Sequence, residues 1–168
     1  MLRPPEPITE VHDLTEFDSG ESSLDDWLRR RALRNEATGG SRTYVVCTDP
    51  GNRVVAYYCL AAGAVAHTGA PGRIRRNMPD PVPVMVVGRL AVDRSVQGRG
   101  LGRAMLRDAV LRTLQAATIA GIRAILVHAV SEKARQFYER CGLRASPVDR
   151  MTLMITIGEA EKILTLGT

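Results

Sequence analysis

Apolar positions change their spacing several times along the chain, and each change marks an element. From Ser22 to Ala37 (SSLDDWLRRRALRNEA) Leu24, Trp27, Leu28 and Leu33 return at helical intervals behind a serine and two aspartates. That spacing predicts one helix over 22–37, with Arg29, Arg30, Arg31 and Arg34 on its other face. Trp27 belongs to the apolar stripe and reads as packing. Residues 7–13 fit a short first strand. The runs RTYVVCTD and RVVAYYCLAAGAVA flank Pro50-Gly51-Asn52, which predicts a β-hairpin. A proline-broken loop follows over 67–83, carrying Arg73, Arg75 and Arg76. The nearly continuous apolar run 84–92 (VMVVGRLAV) predicts a strand buried on both faces.

Beyond it, Leu106, Val110, Leu114 and Ala117 form the stripe of a helix over about 101–120. AILVHAV (124–130) is a second buried strand. Ser131 caps a helix over 132–141 that Gly142 closes, with Ala134, Phe137, Tyr138 and Cys141 on one face. MTLMITI (151–157) alternates as a strand does. The order β α β β β α β α β predicts an α/β fold, a mixed sheet flanked by helices, in a single domain over 1–168.

Charge changes the picture. The net charge is +5 and the pI near 9.6, and of the 23 basic residues only Lys133 and Lys162 are lysines. Arginine at this density fits either a codon bias or a phosphate-rich partner, and composition does not choose. No apolar run reaches the ~20 residues of a membrane helix, and the first ten residues lack a signal-peptide core. Cys47, Cys59 and Cys141 have no metal-ligand spacing and read as free thiols of a reducing cytoplasm.

The candidate chemistry lies in SVQGRGLGRAMLRDAV (95–110). Gly98, Gly100 and Gly102 run into a helix N-terminus, whose free N–H groups and dipole favour an anion. A nucleoside-triphosphate loop needs Gly-Lys-Ser/Thr, and here the turn ends Gly102-Arg103-Ala104. A dinucleotide fingerprint needs a different glycine spacing and an acid about 20 residues on, and neither is present. Gln97-x-x-Gly100-x-Gly102 after an apolar strand instead resembles the acyl-CoA loop of the GNAT superfamily of N-acyltransferases. The later FYERCGL, on the helix after the next strand, agrees with it. LDDWLRRRAL, SRTYVV, RIRRNMPDPVPVMVVGRLAVDRS, RAMLRDAVLRTLQAA and FYERCGL…SPVDRMTLMITI together are similar to the TacT-type toxins of bacterial toxin–antitoxin pairs.

The resemblance implies direct acetyl transfer from acetyl-CoA, without metal, to the α-amine of an aminoacyl-tRNA, which blocks translation. It implies Tyr138 as general acid toward the departing CoA sulfur. Leu90, Ala91, Val92, Gln97, Gly98, Arg99, Gly100, Leu101, Gly102, Arg103, Ser131, Ala134 and Phe137 would hold acetyl-CoA. Arg29, Arg30, Arg73, Arg75, Arg76 and Arg89 would meet tRNA phosphates. A ribbon-helix-helix antitoxin, a homodimer and a cytoplasmic location follow from the same resemblance. Lysine-acetylating relatives commonly carry a glutamate base on the strand before the loop, and VMVVGRLAV has no acid. An α-amine of pKa ~8 is roughly a tenth neutral at pH 7, far more than a lysine of pKa ~10.4. The missing acid therefore favours an α-amine acceptor. His12, His67 and His128 have no acid partner evident in the sequence and read as packing or surface, and Asp93 reads as a turn residue. Acetylation of a small or protein amine is the alternative activity. A non-catalytic acyl-CoA-binding module fits poorly beside Tyr138.

Overall fold

A computed structural model describes residues 1–165. Its elements run β1 (Glu6–Pro7), α1 (Ser22–Arg30), α2 (Ala32–Thr38), β2 (Arg42–Cys47), β3 (Val54–Val65), α3 (Gly72–Arg75) and β4 (Val82–Val92). After these come α4 (Leu101–Ala117), β5 (Ala124–His128), α5 (Glu132–Arg140), β6 (Arg144–Ala145), β7 (Thr152–Thr156) and α6 (Ile157–Thr165). The seven strands form one sheet in the order β1-β2-β3-β4-β5-β7-β6. β4 and β5 pair in parallel, Val84 opposite Ala124 through Val87 opposite Val127. Parallel neighbours need a crossover, and α4 supplies it. β1–β2, β2–β3, β5–β7 and β6–β7 are antiparallel. The expected mixed α/β fold is thus present, and no helix among the described residues is long and apolar enough to cross a membrane.

Several elements differ from the pattern's forecast. The first strand is only Glu6–Pro7, because the chain turns back at Thr9–His12, where the His12 N–H bonds Thr9 O at 3.2 Å. The helix over 22–37 is two helices, broken where Arg31 leaves helical angles (φ −123°, ψ −28°) without a Gly or Pro nearby. The loop 67–83 holds the short α3, and β4 begins already at Val82. α4 stops at Ala117. β7 ends at Thr156, and Ile157 opens α6, which the alternation concealed. Residues 152–155 are all buried, since helices α3, α5 and α6 pack against β7.

By its contacts the chain forms two compact units. The first comprises Met1–Ala61 and Gly88–Asp108. Ile8, Phe17, Leu24, Leu28, Val45, Val54, Tyr57 and Ala91 fill its core. Each fully buried large aliphatic side chain there contributes about 1.5–3 kcal/mol. Tyr57 is central: Phe17 meets it edge-on at 5.5 Å, Trp27 stacks on it at 6.0 Å, and its hydroxyl donates to Leu24 O at 2.7 Å.

The second unit comprises Ala62–Val87 and the chain from Ala109 onward. Ile74, Val82, Val84, Ala124, Leu126 and Met154 pack together in it. The Arg123 guanidinium donates to Arg73 O at 2.8 Å and Ile74 O at 3.1 Å, satisfying carbonyls at the end of α3. Gly63 is required by space, because a Cβ there would come within 2.8 Å of Val86 Cγ2.

Candidate active site

In the first unit, β4 leads into the glycine turn through a turn built on Asp93. Its carboxylate accepts the Ser95 N–H at 2.9 Å, the Ser95 hydroxyl at 2.7 Å and the Asp18 N–H at 2.9 Å. Burial opposes its ionisation, yet these donors and Arg53 hold the carboxyl below its ordinary range. Asp93 is an anchor, as its sequence context indicates. Gln97 Nε2 donates to Val92 O at 2.8 Å and Ser19 O at 3.0 Å, so its amide ties the turn to the end of β4 and to the segment before α1.

Gly98 and Gly100 both have φ +78°, which a side chain resists, and a Cβ on either would meet nothing within 4 Å. Helical bonding begins with the Ala104 N–H to Gly100 O at 3.1 Å. The N–H groups of Leu101, Gly102 and Arg103 precede that bond and have no intrahelical acceptor. A glycine turn with open space above it and free N–H groups below suits a pyrophosphate. Leu90 and Val92 are half-buried, while Ala91 is turned into the core.

The second unit carries α5. Ser131 caps it by accepting the Ala134 N–H at 3.1 Å, and Gly142 (φ +102°) ends it, as the sequence predicts. Phe137 lies edge-on to Tyr138 at 5.2 Å. Tyr138 is 5% exposed, and burial, helped by Cys141, pushes its phenol well above the ordinary value. It is a neutral O–H donor throughout the physiological range.

The six arginines expected to meet tRNA separate into distinct situations. Arg29 donates to Phe17 O at 2.8 Å, Arg73 pairs with Glu159 at 3.0 Å, and Arg75 donates to Ala70 O at 3.2 Å. Arg30 and Arg76 are exposed, with no ion pair among the described residues. Arg89, also exposed, holds a left-handed backbone (φ +62°) inside β4, and its guanidinium stands 5.0 Å over the Trp27 ring. A non-glycine residue in that region is strained and marks a site worth testing.

His67 Nε2 lies 2.8 Å from Pro79 O, a tie across its loop. His128 does have an acid behind it, through Thr152 to Asp149. The sequence hid that chain because its members lie 24 and 21 positions further on. Glu6, His12 and Cys47 place donor atoms within 4.8 Å of one another. Their chemistry suits a hydrogen-bonded clip better than a metal. His12 Nδ1 accepts the Thr9 N–H at 2.9 Å, so its proton sits on Nε2, 3.0 Å from Glu6, which Arg3 also pairs at 3.1 Å. Burial pushes the Cys47 thiol up to about 11.

Residues 39–144 match the family described as acetyltransferase (GNAT) domain. Over 160 residues, 95% of each chain, the sequence is 54% identical to a tRNA-acetylating toxin of Mycobacterium tuberculosis (strain ATCC 25618 / H37Rv). It is also similar to the structure of AtaT complexed with acetyl-methionyl-tRNAfMet, at a TM-score of 0.87 and 28% identity covering 100% of both chains. A tyrosine-to-phenylalanine mutant of AtaT bound to acetyl-CoA and the C-terminus of the antitoxin AtaR matches at 0.83 and 27%, covering 98% of this chain and 99% of that one.

Proposed function

Since the chain belongs to the GNAT acetyltransferase family, we propose that it is a toxin enzyme that acetylates aminoacyl-tRNA. It moves the acetyl group of acetyl-CoA to the α-amine of the attached amino acid, which blocks translation, and a cognate antitoxin neutralises it. The single observation that carries this reading is the end-to-end 54% identity to a tRNA-acetylating toxin. The absence of an acid on β4 supports an α-amine rather than a lysine acceptor.

Within that reading the N–H groups from Gly98 to Arg103 bind the CoA pyrophosphate, and Gln97 acts by holding the turn in shape. The backbone of Leu90, Ala91 and Val92 lines the pantetheine arm. Ser131, Ala134 and Phe137 set the helix from which Tyr138 donates its proton to the departing sulfur. Arg30, Arg76 and Arg89 are the best placed of the six arginines for tRNA phosphates, as they are exposed and their guanidinium groups meet neither a carboxylate nor a backbone carbonyl among the described residues. Residues 1–168 act as one acetyltransferase domain. The antitoxin is of the ribbon-helix-helix type, and the enzyme works as a homodimer in the cytoplasm.

The deciding experiment incubates the protein with acetyl-labelled acetyl-CoA and charged total tRNA. Label should enter the tRNA fraction and leave on mild alkaline treatment as an N-acetyl amino acid. Label confined to free amines or proteins would refute the reading.

A further inference from the structure

In the second unit three polar side chains form a chain that ends in solvent. His128 is the last residue of β5 and sits opposite Thr152 in the β5–β7 register. Parallel pairing of β5 with β4 stops one residue earlier, at Val127 opposite Val87. His128 is therefore the first β5 residue past the paired stretch, and it is exposed. Its Nδ1 lies 2.9 Å from Thr152 Oγ1, and the Thr152 hydroxyl donates to Asp149 Oδ2 at 2.8 Å. Asp149 Oδ1 accepts the Met151 N–H at 2.9 Å.

The Met151 N–H and the Thr152 hydroxyl hold the Asp149 carboxyl below its ordinary range, so near neutrality it is ionised and only accepts. Thr152 has one hydroxyl proton, and Asp149 takes it. The threonine oxygen must then accept from Nδ1–H, which leaves the lone pair of the neutral imidazole on Nε2. Thr152 is 8% exposed, so water has little access to compete for either bond. Arg150 turns to Glu132 at 2.9 Å, and Asp149 is the charged group beside the imidazole.

We propose that His128, oriented by Thr152 and Asp149, takes the proton that the acceptor α-ammonium must lose before it attacks acetyl-CoA. This rests on the acetyl-transfer reading above and supplies the proton acceptor that β4 lacks. Nε2 removes one N–H proton, giving a neutral amine and an imidazolium whose charge Asp149 offsets. The nitrogen lone pair forms the bond to the thioester carbonyl carbon. The C–S bond breaks, and sulfur leaves with the electron pair and takes the Tyr138 proton. As the nitrogen becomes an amide it sheds its second proton, which restores the phenol, and the imidazolium returns its own to solvent. The sum is one amide, one CoA thiol and one released proton.

Two variants test the assignment. His128→Gln keeps a polar side chain without a proton acceptor. In Asp149→Asn the side-chain oxygen stays on the Met151 N–H, so the amide NH₂ faces Thr152 and turns its hydroxyl onto Nδ1. The imidazole proton then moves to Nε2, and the acceptor is lost in a protein altered only at its surface. The kcat/KM of the full-length enzyme is measured with charged tRNA and, separately, with glycinamide, from about pH 6.5 to about pH 9.5 so as to span the α-amine's own titration. Both variants should lose up to about 30-fold at the acid end, where only about 3% of an amine of pKa ~8 is already neutral. The deficit should close toward the alkaline end, where the amine is already neutral, and acetyl-CoA affinity by calorimetry should not change. A wild-type rate at the acid end, or a loss of equal size at both ends, would overturn the proposal. Wild-type turnover of glycinamide but not of charged tRNA would count against the tRNA reading alone, since the variants on glycinamide still decide the role of His128.

Discussion

The donor role proposed for Tyr138 rests on its burial. The same removal from water that keeps the phenol protonated also disfavours a free thiolate beside it, so an O–H aimed at the developing charge counts for more than in solution. Tyr138→Phe should therefore lower turnover by ~10²–10⁴ while acetyl-CoA affinity stays near wild type. Steady-state rates beside calorimetry measure both, and an undiminished rate would make Tyr138 a packing residue. A tyrosine in FYERCGL could be picked out from the sequence because the motif is local. Gln97 was legible only by position: its partner Ser19 lies 78 residues away, so no spacing rule could reveal that its amide is spent on backbone carbonyls. The acid behind His128 eluded the sequence for the same reason, being reached only through the β5–β7 pairing.

Among the elements, the strand–turn–helix from β4 to α4 was readable because everything that makes it is short-range: an apolar run, glycines at positive φ, a helix start. Gly100→Val tests it. The space around Gly100 is open, so the fold should survive with modest strain from φ +78°, while the branched side chain occupies the anion's place. Acetyl-CoA binding should weaken by at least about 10²-fold, some 2.7 kcal/mol, with the thermal midpoint shifted by only a few degrees. Unchanged affinity in the folded variant would remove the turn from the site. Elements fixed by distant partners were not readable. The break at Arg31 has no breaker in the sequence, β6 is two residues long, and α6 begins inside what reads as the end of a strand.

At the scale of the whole molecule, the six arginines divide into three held by a carbonyl or a carboxylate and three left exposed without one. Arg30→Gln, Arg76→Gln and Arg89→Gln should each weaken binding of charged tRNA whatever amino acid it carries. Removing an arginine that neutralises a phosphate should also flatten the log K against log salt slope by somewhat less than about one unit. Arg73→Gln, which breaks the pair with Glu159, should lower thermal stability and leave that slope alone. Binding across a salt series checks all four, and equal slopes throughout would return the arginines to codon bias. Sequence composition fitted a codon bias as well as a phosphate-rich partner and could not sort these residues, because the sorting depends on Phe17, Ala70 and Glu159 lying against three of them. The sheet order has a bearing on synthesis as well. β6 leaves the ribosome before β7, yet β7 stands between it and β5 and is its partner. Neither compact unit is a continuous stretch of chain, and the first cannot close until Asp108 has been made. A nascent chain arrested before β7 thus holds a sheet that ends at β5, with β6 lacking its partner, rather than a slightly shortened enzyme. For the toxin role proposed above this means that activity is not gained by instalments: the ribosome that makes the enzyme must finish before any ribosome can be stopped.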